Sequence, residues 1–197
     1  MKRMAMLVLT VAVLAAVIAC SGNDPTGAGS GNVQVLLTDA PLDLSTVSAV
    51  NVTITEFVLY PVDDEDPMAE GTGIVMVMPG EGAETLNLLD YQNGATTLVA
   101  GADAPEGDYA KIRMIVSAAE LVHDHDGDPD TPDIAEPIKV PSGKVQIPVP
   151  FHLAAGEGME ITLDFDAERS VQVNSTSSDN HPYILRPVVT PVGVRSM

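Results

Sequence analysis

The stretch from Ala49 to Tyr60 constrains this chain more than any other. Val50, Val52 and Ile54 alternate with Asn51, Thr53 and Thr55. A period of two places one set on a buried face and the other in water, which is the pattern of a half-buried β-strand. Similar short apolar stretches recur along the chain: Val33–Leu37, Ile74–Met78, Thr85–Leu89, Asp108–Ser117, Ile138–Val140, Val145–Leu153, Met159–Phe165, Ser170–Val173 and Tyr183–Val192. The 16 glycines and 15 prolines spread between them break any long helix. Only Leu89–Ala100 has helical potential, and it reads as a short helical turn or a loop. The expected fold is all-β, one antiparallel β-sandwich of seven to nine strands.

The amino-terminal residues follow a different logic. Lys2 and Arg3 precede Met4–Ile18, a 15-residue stretch dominated by apolar side chains. That is short for a transmembrane helix, which needs roughly 20 apolar residues, but it suits the hydrophobic region of a signal peptide. Val17-Ile18-Ala19-Cys20 then resembles the lipobox of bacterial lipoproteins. The resemblance implies a signal peptide over residues 1–19, a diacylglyceryl group on the Cys20 thiol, and acylation of the new amino terminus. Several acyl chains on one residue hold a membrane firmly, whereas a single chain binds it reversibly. Cys20 is the one cysteine of the chain, so no disulfide and no cysteine-based metal or redox site is expected. Residues 20–32, with four glycines and no apolar period, read as a flexible tether, and the folded domain as residues 33–194. Ser21 after the cysteine favours the outer membrane by resemblance to the Gram-negative sorting pattern.

Charge excludes one class of partner. The chain carries −19 overall; without Lys2 and Arg3, seven basic residues face 28 acidic ones, a net of −21. Nucleic acid is ruled out, because phosphate binding needs clustered Lys and Arg. Self-repulsion on this scale keeps an extracytoplasmic protein soluble. The expected partners are the membrane, through the anchor, and a ligand of the envelope or the exterior.

Five further segments appear in an order that can be compared with a known family. They are Gly31–Pro41, Gly107–Arg113, Val140–Gly143, Leu163–Val171 and Tyr183–Val188. Together they resemble the DUF4382 family of bacterial lipoprotein domains over about residues 31–192. The resemblance implies a β-sandwich of prealbumin or immunoglobulin-like character on a lipid anchor. It implies no activity, since none is assigned to that family. Pro141-Ser142-Gly143 reads as a turn, with Gly143 at its flexible position.

Two constellations could carry chemistry. Asp124, Asp126, Asp128, Asp130 and Asp133 fall within ten residues, and oxygens at alternate positions can wrap a hard cation such as Ca²⁺. The segment resembles the Asp-rich loops of thrombospondin type 3 repeats. It departs from an EF-hand loop, whose sixth and twelfth positions are Pro129 and Ala135 here. A solvated acidic loop between two strands is the more ordinary account of it, and His123 with His125 lacks a third fixed ligand for a transition metal. Apart from this calcium, no cofactor is expected.

The second constellation is Asp164 and Asp166, two residues apart and so on one face of a strand, opposite Leu163 and Phe165. Paired carboxylates can perform general acid–base hydrolysis, as in glycosidases. They can also anchor Arg113, Arg169 or Arg186 in structural ion pairs. With no Trp, four Tyr and three Phe, the chain is poor in the aromatic platforms on which sugars stack. Neither His152 nor His181 accompanies a nucleophile elbow. The expectation is therefore a non-enzymatic, membrane-tethered binding or structural module; the alternative is an envelope hydrolase using Asp164 and Asp166.

Overall fold

The computed structural model describes residues 29–39, 47–62, 73–79, 82–123, 133–173 and 182–197. Its strands run β1 Ser30–Thr38, β2 Val47–Pro61, β3 Ile74–Val75, β4 Glu84–Asn87, β5 Thr97–Pro105, β6 Gly107–His123, β7 Ile134–Ile138, β8 Lys144–Leu153 and β9 Gly158–Phe165. A one-turn helix, α1 (Ala167–Ser170), precedes β10 Val171–Val173, β11 Tyr183–Leu185 and β12 Val189–Ser196. The chain is all-β, with two larger sheets packed on one core and a separate two-stranded sheet, β10-β11. Of the larger two, one has the order β12-β9-β1-β5; the other is β3-β2-β6-β7, with β4 also on β2 and β8 also on β6.

Among the described residues the strand ladders are antiparallel but for β1 with β9, which run parallel from Asn32↔Gly158 to Thr38↔Asp164, and an isolated parallel bridge joins Lys139 and Ile184. Twelve strand segments lie among the described residues, where seven to nine were expected. Three of them (β3, β10 and β11) have only two or three residues, and the expected strand Tyr183–Val192 is two, split by residues 186–188. β5 was not anticipated. Its Ala100-Gly101-Ala102-Asp103-Ala104 has little β propensity, and its ladder with β1, from Ser30↔Pro105 to Leu37↔Thr97, makes it a strand. The expected helical turn reduces to a single 3-10 turn, Leu88–Tyr91, capped by Asn87.

The core is built from the inward residues of both sheets. Val33, Val35 and Leu37 of β1 and Ile161, Leu163 and Phe165 of β9 lie on one side. Val50, Val52, Ile54, Phe57 and Leu59 of β2 face them, with Ile112, Met114 and Val116 of β6. Each such side chain contributes about 1.5–3 kcal/mol of burial. The inward set on β2 switches from even to odd positions after Ile54. Register shifts between Thr53, Ile54 and Glu56 in the β2–β6 ladder accommodate the switch, so both long strands keep an apolar inner face past the break.

Isolated backbone bridges join the sheets. Val77 and Gly101 exchange backbone hydrogen bonds of 2.7 and 2.9 Å, tying the segment after β3 to β5. Past the end of β7, Lys139 N–H donates to Tyr183 O and Leu185 N–H to Lys139 O, at 3.0 and 2.8 Å, tying the six-stranded sheet to the two-stranded β10-β11 sheet. The two ends of the sandwich differ. At one, β1 begins beside the β5–β6 and β8–β9 hairpins, with Glu106 N–H on Gly29 O at 2.6 Å and Gly156 N–H on Ser30 O at 2.8 Å. At the other end lie Asp39, the 3-10 turn and α1.

Gly143 has a different role from the one expected. Its φ is not among the positive values of the chain, so the turn does not need its flexibility. The strand start at β8 instead brings its backbone against β6, where Val116 N–H donates to Gly143 O at 2.8 Å. A Cβ at this position would overlap the Val116 carbonyl oxygen. Gly143→Ala is expected to destabilise the fold by about 1–3 kcal/mol. Urea unfolding checks this: the midpoint falls with the slope unchanged. An unmoved midpoint would show that the backbone approach has slack.

Candidate functional site

The carboxylates singled out in the sequence meet at the end of the sandwich where β1 and β9 finish side by side. Thr38 is the register partner of Asp164, so Asp39 and Asp166 follow as neighbours beyond the ladder. Leu163 and Phe165 are fully buried and Asp164 is half-buried on the opposite face, as alternation requires. Asp166 departs from that pattern. It lies past the end of β9 and caps α1, its Oδ1 accepting the Arg169 N–H at 2.8 Å. An Asp at a helix N-cap satisfies an otherwise orphaned donor and is worth about 1 kcal/mol.

Asp39 completes the group. Sequence reasoning quoted it within a motif but assigned it no role. A signal was present: the buried positions Val33, Val35 and Leu37 continue in step to 39, where the side chain is a carboxylate. Asp39 is 3% exposed. Its Oδ1 accepts the Ala167 N–H at 2.9 Å and its Oδ2 the Gln92 Nε2–H at 3.4 Å. The backbone around it is tied as well, with Asp39 N–H and the Thr38 hydroxyl both donating to Tyr91 O at 3.1 and 2.9 Å. One side chain thus joins β1, the 3-10 turn and the start of α1.

Burial pushes the Asp39 carboxyl up to about 6 from its usual 3.8. The bonds from Ala167 and Gln92 oppose that rise, and the charges of Asp164 and Asp166 add to it. A raised carboxyl is also what a general acid needs. Here the group is closed off from solvent and both its oxygens are engaged by protein donors, so it supports structure.

The helix that Asp39 and Asp166 cap is docked by Ser170, which is fully buried. Its Oγ donates to Asp166 O at 2.5 Å and accepts the Val188 N–H at 2.8 Å. Arg186 enters the same junction through its backbone, its N–H donating to Ser170 O at 2.8 Å. Its side chain is exposed and forms no ion pair among the described residues. Arg169 reaches Asp166 at 3.8 Å but is 71% exposed, and such a pair adds little. Arg113 lies in the other sheet, away from both aspartates. Its Nη2 meets Glu56 Oε1 at 3.4 Å, and with buried Lys111 it flanks the Tyr60 ring. Among the three arginines expected to serve Asp164 and Asp166, Arg169 makes such a pair, with Asp166.

Of the Asp-rich segment, Asp124, Asp126, Asp128 and Asp130 lie outside the described residues, as do His125, His181 and Cys20. Asp133 is exposed and accepts the Ser48 hydroxyl at 2.6 Å. His123 Nε2 stands 3.4 Å from Glu136 Oε2 and its ring is tilted against Tyr183. At the opposite end of the sandwich, His152 Nδ1 meets Asp108 Oδ1 at 2.8 Å, both well exposed. Among the described residues no group of three or more His, Cys, Asp or Glu side chains is arranged to hold a metal ion.

Asp39 makes stability depend on pH. Its folded pKa lies above its unfolded one, so the folded chain holds the proton more tightly. The stabilising contribution is full below about pH 4 and is lost as pH rises through about 6. Asp39→Asn keeps an acceptor for Ala167 and does not titrate. The stability of the parent relative to Asp39→Asn should therefore fall by about 2–3 kcal/mol between pH 4 and pH 7. Denaturant melts of both at the two pH values measure it, and a constant difference would contradict the assignment. Asp39→Ala, which orphans the Ala167 N–H and likewise does not titrate, should cost about 1–3 kcal/mol at pH 7 and about 2–3 kcal/mol more at pH 4.

A solved structure of a candidate cell adhesion protein from Bacteroides eggerthii overlaps this fold with a TM-score of 0.35 at 12% identity, covering 85% of this chain and 55% of that one. The chain thus spans about half the length of that protein, and an overlap so loose speaks for no shared role. No curated protein matches. The family model DUF4382, a domain of unknown function, matches residues 30–187, which begin at the first residue of β1 and end just past Arg186. The chain belongs to the DUF4382 family.

Proposed function

We propose that this chain is a lipid-anchored module of the cell envelope whose β-sandwich binds or braces and does not catalyse. One observation carries the non-catalytic part. A hydrolase would need Asp166 beside Asp164 as a free carboxylate, and the Asp166 carboxylate accepts the Arg169 N–H as a helix cap. Asp39, the third carboxylate nearby, is buried against Ala167. Both carboxylates are engaged by backbone donors, which supports the non-catalytic reading.

The anchor rests on the order of segments in the chain. A charged start and an apolar stretch lead to Cys20, and a glycine-rich tether leads from there to β1 at Ser30. Fully extended, that tether reaches roughly 30 Å at about 3.3 Å per residue. The end where β1 begins, with the β5–β6 and β8–β9 hairpins, would face the membrane. Asp39, α1 and the flanks of the Asp-rich segment would point away from it. Ser21 after the lipidated cysteine favours the outer membrane, and the charge of −19 disfavours nucleic acid as a partner.

Mass spectrometry of the natively expressed protein tests the anchor. The first peptide should start at Cys20 and carry diacylglycerol and a fatty acyl chain, and Cys20→Ala should remain an unprocessed precursor. A bare sulfur with the leader retained would remove the envelope reading. Catalysis is tested separately by incubating the protein with envelope glycan. No turnover above background is expected, whereas turnover lost in Asp164→Asn would establish the hydrolase.

A further inference from the structure

We infer that the outer face of the β2–β6 sheet carries a binding site for a cationic side chain of a partner protein, with arginine the best fit. The inference rests on the reading of the chain as a binding module and names what it would bind. Asn51 and Thr53 alternate with the buried Val50, Val52 and Ile54 and so point outward. Together with Thr85 of β4, Ala118 and Glu120 of β6 and Pro137 of β7 they line a trough of about 330 Å³. Ala118 is exposed and contributes only a methyl group to its lining. The trough lies in the half of the sandwich away from where β1 begins, since Asn51 pairs with Glu120 close to the His123 end of β6.

The hydrogen bonds within the trough decide what it can accept. Asn51 Nδ2 donates one of its two N–H groups to Glu120 Oε1 at 2.8 Å, which turns the amide oxygen and the carboxylate towards the same space. The Thr53 and Thr85 hydroxyls meet at 2.8 Å, so one serves as donor to the other. Asn51 Oδ1 and the second Glu120 oxygen take no hydrogen bond from the described residues. What remains is two acceptors, one of them charged, beside a hydroxyl and the second Asn51 N–H, so the only formal charge in the set is negative. No Lys or Arg lines the trough. Such a set asks for a ligand with several donors and a positive charge. A guanidinium fork can donate to two neighbouring oxygens at once, which an ammonium matches less well. The charge of −19 draws cations towards the surface in general, and the trough supplies a place for one of them.

A nuclear magnetic resonance titration of the full chain in detergent tests this. The probe is a blocked Gly-Arg-Gly tripeptide, with Gly-Gln-Gly as the uncharged control. Saturable shifts confined to the amides of Asn51, Thr53, Ala118 and Glu120 are expected with the arginine peptide and not with the control. Ala118→Leu fills the trough without changing any charge and should weaken binding by at least about tenfold, as should Glu120→Gln. Both positions face solvent, and the dispersion of the spectrum reports whether each variant folds. Shifts scattered over the acidic surface and unchanged by Ala118→Leu would mean general attraction of cations and would overturn the site. So would the absence of shifts. Neither result bears on the lipid anchor, which the mass of the Cys20 peptide decides.

Discussion

Everything at the far end of this sandwich hangs on the last turn of β1. That strand lies between β5 and β9, takes hydrogen bonds from both, and buries Val33, Val35 and Leu37. Its next inward residue is Asp39, whose carboxylate is held among apolar neighbours because it satisfies the Ala167 N–H and meets Gln92. A buried carboxylate is costly unless it is hydrogen-bonded or protonated, and Asp39 uses both remedies near neutral pH. The exchange organises three elements that no continuous ladder connects.

This arrangement separates the two readings of the paired aspartates. Asp164 and Asp166 are close in sequence, yet the strand ends between them. Asp164 remains on the sheet face, while Asp166 turns to cap α1 and is bridged through its carbonyl to Ser170. Ser170 in turn fastens the segment before β12 through Val188 and Arg186. The Leu163–Val171 motif thus describes a joint between β9, α1 and the closing strands. Its polar residues hold backbone groups that would otherwise be buried without partners.

Much of the sheet structure was readable from the alternation of side chains. β1, the first half of β2, β8 and β9 follow a two-residue period, because each has one face in the core and one in water. β5 was not readable, since its Ala and Gly residues form a strand only through β1. The break after Ile54 was hidden for a related reason: a bulge changes which positions face inward without altering composition. Gly143 was recognised as special for the wrong cause, because a backbone approach from a strand distant in sequence leaves no local mark. Asp166 was placed on the wrong side of a strand end, a boundary that DF-D-A-E-R alone does not reveal. Asp39 could have been found, as the one acidic residue in step with a buried series.

The account turns on Asp39 being a buried, bonded carboxyl that supports the fold. A titration of its side-chain carboxyl carbon by nuclear magnetic resonance examines that directly. A midpoint near 6 is predicted. A midpoint near the ordinary value of 3.8 would mean that the group is open to water, and the joint it is said to form would have to be abandoned.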